Sequence, residues 1–311
     1  MAMVNYTTTR YFVLEGVSSD PQLQLFLFVI FLLIYLLTVV GNGAIMVVTR
    51  ADPHLHTPMY FFLFHLSFLD ICYSSVTVPK MLQNLLAGKK NISLPGCIAQ
   101  MTLILLMACT EVFMLSAMAY DRYAAICKPL YYVRIMNKQV CMRLVGGAWL
   151  ISILHSLTNT ALVLQLHFCG HKELNNFSCE LPSLLEASCA GTFISKMTFL
   201  TSAMIVSSTS FSITLVSYIC IISSILRIRS GEGRGKAFST CSSHLTVVLL
   251  CYGAAFARYL RPNSASSVVL DRLFSVEYSI LTPMLNPIIY SLRNKDVKAA
   301  LGKLLGKMKG I

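Results

Sequence analysis

No charged side chain occurs between Gln22 and Thr49, and none between Met197 and Leu226. Five further apolar stretches lie near 58–79, 98–120, 141–166, 237–257 and 273–292, each with at most one or two ionisable groups. A helix needs about 20 largely apolar residues to cross a hydrocarbon core of roughly 30 Å. In lipid, a segment must satisfy its own backbone, which favours helices. A barrel would show alternating segments of about 10 residues, whereas these runs are continuous. The pattern predicts an all-α membrane protein, a seven-transmembrane helix bundle, with no internal repeat. Residues 1–22 read as an extracellular tail and 23–292 as the bundle. Residues 293–311 read as a cytoplasmic amphipathic helix and tail. Val297, Leu301, Leu304 and Leu305 share one face there, with lysines elsewhere, as in a helix lying on a membrane surface.

Composition sharpens this picture. Hydrophobic residues make up 56% of the 311 residues and charged ones 12%, against about 25% charged in a soluble domain. That excludes an ordinary soluble enzyme, a disordered chain and a cytosolic nucleic-acid binder. The net charge of +12 follows the spans. With the N-terminus outside, most lysines and arginines fall on inner segments, including Arg50, Arg134, Arg143, Arg227 and Lys303. This is the positive-inside pattern, and it leaves an inner face for anionic lipid or a protein partner rather than nucleic acid. The sequons at Asn5, Asn91 and Asn176 then all face the glycosylating compartment. Cys97, Cys169, Cys179 and Cys189 fall in outer loops or at an outer helix end, where disulfides persist. The other seven of the 11 cysteines read as free thiols. The first 20 residues lack a signal-peptide apolar core, so the first span is expected to act as signal anchor. The outer segment 167–195 reads as a folded cap.

Motifs then recur in order along the chain. Gly41-Asn42 stands in the first span. His56-Thr57-Pro58-Met59-Tyr60-Phe61-Phe62-Leu63 opens the second, which continues through Leu66-Ser67-Phe68-Leu69-Asp70. The third ends in Met118-Ala119-Tyr120-Asp121-Arg122-Tyr123-Ala124-Ala125-Ile126-Cys127, and the fifth holds Ser217-Tyr218. The sixth begins Lys236-Ala237-Phe238-Ser239-Thr240-Cys241-Ser242-Ser243-His244-Leu245, and the seventh ends Pro283-Met284-Leu285-Asn286-Pro287-Ile288-Ile289-Tyr290. Together these resemble the odorant receptors of the rhodopsin-like G-protein-coupled class. Ala125 departs from the valine expected there.

The resemblance implies a receptor in the plasma membrane of olfactory cilia. It would bind a small volatile organic ligand, couple to a stimulatory olfactory-type G protein and raise cyclic AMP, with no enzymatic chemistry and no required cofactor. It assigns Asp121, Arg122 and Tyr123 to G-protein coupling, with Tyr218, His244, Asn286 and Tyr290 as switch residues. A planar, multi-donor guanidinium suits the backbone carbonyls of an inserted helix. Asp70 and Glu111 are acids in mid-span, where charge is costly and usually functional. With Asn42 and Asn286 they are expected to form a polar switch, with a sodium ion as candidate occupant of Asp70 and Glu111. Four outer cysteines allow three connectivities; the resemblance implies Cys97–Cys179 and Cys169–Cys189. His167-x-Cys169-x-His171 would serve a metal only if Cys169 stayed reduced.

At about 100° per residue, Met101, Leu105, Ala108 and Val112 share one face of the third span, with Ile104 and Cys109 on its margins. Tyr252, Phe256 and Tyr259 share a face of the sixth, and Arg258 points away from it. Asn159, Ser202, Val206, Ser279 and Thr282 complete the expected pocket, since ligand sites lie between bundle helices with few polar anchors. No acid occupies the outer half of the third span, so a neutral or weakly polar ligand fits better than a cationic amine. A photoreceptor would need a mid-span lysine in the seventh helix, and the nearest, Lys295, lies beyond it. A transporter would need a repeat and a charged path, and a hydrolase more than His155 near Ser152 or Ser156.

Overall fold

The computed structural model describes residues 10–16, 20–87, 90–168, 173–174, 176–189, 191–227, 231–259, 273–293 and 295–309. At 232–233, 236–237, 239–240, 243, 254–259, 291–293, 295–296, 304–305 and 307–309 that description is of backbone alone. Among the described residues, five helices are long and apolar enough to cross a membrane: α1 (Pro21–Ala51), α2 (Pro58–Leu86), α3 (Leu94–Cys127), α5 (Lys138–Val163) and α7 (Thr192–Leu226). Helix α4 (Tyr132–Ile135) lies between α3 and α5, and α6 (Leu181–Ala187) precedes α7. The bundle is completed by α8 (Gly231–Tyr259) and by a seventh span ending in α9 (Thr282–Arg293); α10 (Lys295–Lys309) follows. The fold is the expected seven-helix membrane bundle.

Local chemistry sets the helix starts. Asp20 accepts from the Gln22 amide ahead of α1, Ser93 from Gly96 ahead of α3, and Asn137 from Val140 ahead of α5. Each occupies one of the amides that a helix start leaves unpaired.

The seventh span departs from regular geometry over Glu277–Leu281, a π-helical turn in which the Thr282 amide donates to the Glu277 carbonyl. Two prolines bear on this. Pro283 has no amide to offer the Ser279 carbonyl four residues back, and Pro287 none for that of Pro283. The second gap is filled from another helix, because Asn42 Nδ2 of α1 donates to the Pro283 carbonyl at 3.0 Å. The approach is close: a Cβ on Gly41 would meet Pro287 carbons at 3.2 Å.

One end of the bundle carries a lid. Strand β1 (Tyr11–Leu14) pairs antiparallel with β2 (Asn91–Ser93) and parallel with β3 (Glu173–Leu174), in registers Tyr11↔Ser93 and Val13↔Glu173. Phe12 and Leu14 are fully buried, packed with Cys97, Met101, Leu174 and Cys179, and Phe12 sits edge-on to Phe168 at 5.3 Å. The segment read as a tail thus contributes a strand, and the alternating burial of Tyr11–Leu14 makes it part of the fold.

At the other end, Val297 and Ala300 of α10 are buried in the same apolar cluster as Leu55 and Tyr60. The apolar face of α10 is thus turned partly to protein. Lys303 also lies 3.8 Å from Asp52. The His54 amide, aided by Lys303, holds the Asp52 carboxyl below its ordinary range.

Candidate ligand site and switch

The expected ligand residues fall into two connected groups. Met101 and Leu105 belong to the lid cluster beneath Phe12. Ile104, Ala108 and Val112 belong to the central cluster with Tyr252, Tyr278 and Phe211, whose ring meets Tyr252 edge-on at 5.5 Å. Cys109 is buried. Ser279 and Thr282 are buried on the π-turn and just after it. Asn159 is buried and donates along its own helix to the His155 carbonyl. Ser202 likewise donates to Phe199, and Val206 is half-buried. The side chains of Phe256, Arg258 and Tyr259 lie outside the described residues.

The mid-span acids do not share one contact. Both oxygens of Asp70 accept from Asn286 Nδ2, at 3.1 and 3.0 Å. Glu111 Oε2 accepts from the Tyr278 hydroxyl at 2.8 Å, and Glu111 Oε1 is buried without a partner. A third acid went unread in the sequence: Glu277. Its Oε1 accepts from Thr282 Oγ1 at 3.2 Å, while its Oε2 is occluded and unpartnered. Among the described residues no three or more His, Cys, Asp or Glu side chains converge as a metal site.

Asp121 is buried and accepts from the Tyr132 hydroxyl at 2.8 Å. Tyr132 is a partner the sequence reading did not name. Burial, and then the Asp121 charge, holds its phenol above the ordinary value. Arg122 is 8% exposed at the same end, with Tyr123 half-buried nearby along α3. His244 of α8 joins two other spans. Its Nδ1 lies 2.7 Å from the Tyr218 hydroxyl of α7 and its Nε2 3.1 Å from the Leu115 carbonyl of α3. A carbonyl only accepts, so Nε2 carries the proton, and a neutral ring then accepts from Tyr218 at Nδ1. The Tyr290 hydroxyl is buried without a partner.

Cys97 and Cys179 form a disulfide with Cα atoms 5.3 Å apart. Gln100, also missed from sequence, braces it. Its Oε1 accepts from the Cys179 amide at 2.9 Å and its Nε2 donates to the Val76 carbonyl at 2.8 Å, in α2 just before Pro79. Cys189 is disulfide-bonded; its expected partner, Cys169, lies outside the described residues, as does Asn5. Asn91 is exposed on β2. The glycan expected at Asn176 does not fit its surroundings. That side chain is 4% exposed, donates to Ser275 and accepts from the Phe177 amide, so its amide nitrogen is engaged inside the protein.

The family described as "Olfactory receptor" matches residues 31–308. The chain belongs to the olfactory receptor family. This receptor is 50% identical over 298 residues to olfactory receptor 8S1 of Homo sapiens, spanning 96% of the chain and 82% of that protein. It is 47% identical to olfactory receptor 2K2 of Homo sapiens, spanning 98% of the chain and 96% of that protein. It is also 47% identical to the olfactory receptor-like protein OLF3 of Canis lupus familiaris, over 100% of the chain and 98% of that protein. Among solved structures, squid rhodopsin aligns with a TM-score of 0.70 at 15% identity, covering 92% of the chain and 81% of that structure. This last likeness shows the fold alone. Membership places the receptor among G-protein-coupled signalling receptors rather than enzymes.

Proposed function

We propose that the receptor binds a small volatile organic ligand between α3, α8 and the seventh span, and couples that binding to a stimulatory olfactory-type G protein that raises cyclic AMP. In this reading the N-terminus is extracellular and the protein resides in the plasma membrane of olfactory cilia. The lid end with its disulfide faces outward, and Asp121, Arg122 and Tyr123 face the G protein. The observation that supports it best is the family match along nearly the whole chain. The grouping of Ile104, Ala108, Val112 and Tyr252 in one apolar cluster supports the pocket's position, since apolar walls with few polar anchors typify such sites.

Opening the inner end requires α8 to part from α3 and α7, so the His244 contacts to Leu115 and Tyr218 are the bonds exchanged. Asp70 and Glu111 are also the proposed seat of a sodium ion, with the unpartnered Glu111 Oε1 and Asn286 Oδ1 as open oxygens of the kind hard cations favour.

The test is a cyclic-AMP assay against a chemically diverse odorant panel in cells carrying the cognate G protein. At least one odorant should evoke a response. Arg122→Ala should abolish it while surface expression stays normal. Full signalling by the variant at normal expression would overturn the role given to Arg122.

A further inference from the structure

The third acid changes what the pocket can recognise. Glu277 is the only residue of the π-helical turn with a charged side chain, and π-turns recur at functional sites. One of its carboxylate oxygens is held by Thr282; the other is closed off from solvent with nothing to accept from. Among the described residues no lysine, arginine or histidine pairs with it. Its chain neighbour Tyr278 donates to a second acid, Glu111. Glu111 Oε1, on a side chain 94% buried, is likewise unpartnered. Two open carboxyl oxygens thus belong to acids that adjoin Tyr278, one through the chain and one through a hydrogen bond, and Tyr278 packs against the central apolar cluster.

Aromatic rings border it too. Tyr73 and Tyr278 meet edge-on at 5.5 Å, as do Phe211 and Tyr252. Two acids without a cation, set among aromatic faces, describe a site short of positive charge. Buried charges are ordinarily paired, and cations are drawn to aromatic faces.

We infer that the receptor's preferred ligand is a small organic amine in its protonated form, with Glu277 as the anchoring carboxylate. This rests on the odorant-receptor reading above and narrows its ligand class. It departs from the expectation of a neutral ligand, which considered acids on the third span only. The ammonium N–H groups donate to Glu277 Oε2, and the alkyl or aryl body lies on the apolar cluster. An alcohol of the same shape can donate one hydrogen bond but leaves the charge unpaired.

The experiment uses the full-length receptor at the surface of cells with a cyclic-AMP reporter. The probes are aliphatic and aromatic amines, each paired with the alcohol of matching carbon skeleton, alongside a neutral odorant set. At least one amine should act at tenfold lower concentration than its paired alcohol. Glu277→Gln should cost that amine tenfold or more in potency and change a neutral agonist by less than threefold. Glu277→Asp should retain part of the preference. Responses confined to neutral odorants would overturn the inference and leave the receptor reading intact, and so would an amine response that survives Glu277→Gln within threefold. Silence to every probe at normal surface expression would count against the receptor reading and remove the inference with it. Variant expression is measured in the same cells; should Glu277→Gln fail to reach the surface, Glu277→Asp carries the comparison.

Discussion

The bond from Asn42 to the Pro283 carbonyl allows a test that separates one interaction from its surroundings. Asn42→Leu keeps the volume and removes the donor. The Pro283 carbonyl then has no partner, because Pro287 cannot supply the amide a helix normally would. A buried carbonyl left unpaired costs about 1–3 kcal/mol. Interhelical hydrogen bonds in a membrane average about 0.6 kcal/mol and reach about 1.7. The ranges meet at about 1–2 kcal/mol. Asn42 is 0% exposed, so water does not replace the lost donor. For a chain of this size that loss corresponds to a fall of roughly 2–6 °C in the thermal midpoint. The decisive arm is the double mutant. Pro287→Ala restores an amide to the Pro283 carbonyl, so Asn42→Leu should cost little in that background. Thermal unfolding of the four purified receptors in one detergent gives the coupling. Equal cost of Asn42→Leu in both backgrounds would refute the reasoning.

Two further outcomes follow from the lid end. Cys97→Ser or Cys179→Ser should sharply lower surface expression, since losing a native disulfide costs about 2–5 kcal/mol; surface labelling at normal total expression checks this, and unchanged surface levels would count against it. Asn91→Gln should abolish one glycosidase-sensitive gel shift while Asn176→Gln abolishes none; a glycan mapped to Asn176 by mass spectrometry would contradict its buried placement.

The seven spans were legible because lipid forces long uninterrupted apolar runs, and Asp70, Glu111 and Arg122 stood out as charges at mid-span or at a span's end. The third-span face was legible in part. Periodicity places Met101 and Leu105 with Ala108 and Val112, but the lid divides them between two clusters. Gln100 was invisible because a glutamine near a helix end is unremarkable in sequence. Its role depends on an amide brought to it by a loop 79 residues away. Tyr132 was missed for the same reason, as its partner Asp121 sits on a different element. Glu277 was missed through attention to the third span. The π-turn that presents it lies just before Pro283, which withholds an amide from the Ser279 carbonyl, and a regular period does not register that. Asn176 reads as a sequon whatever its burial, because the motif reports on three residues and not on what covers them.

The sheet at the lid end imposes an order of events on biosynthesis. Strand β1 is made before the first span. Its antiparallel partner is made after the second span, and its parallel partner roughly 160 residues later, after the fourth. Pairings that distant in sequence form slowly. Until the fourth span is in place, Phe12 and Leu14 have no β3 to close against, and half of the bridge from Cys97 is still unsynthesised. The first-made strand of the sheet is thus among the last to find its seat. For much of translation the nascent receptor therefore carries an unpaired strand with two apolar side chains.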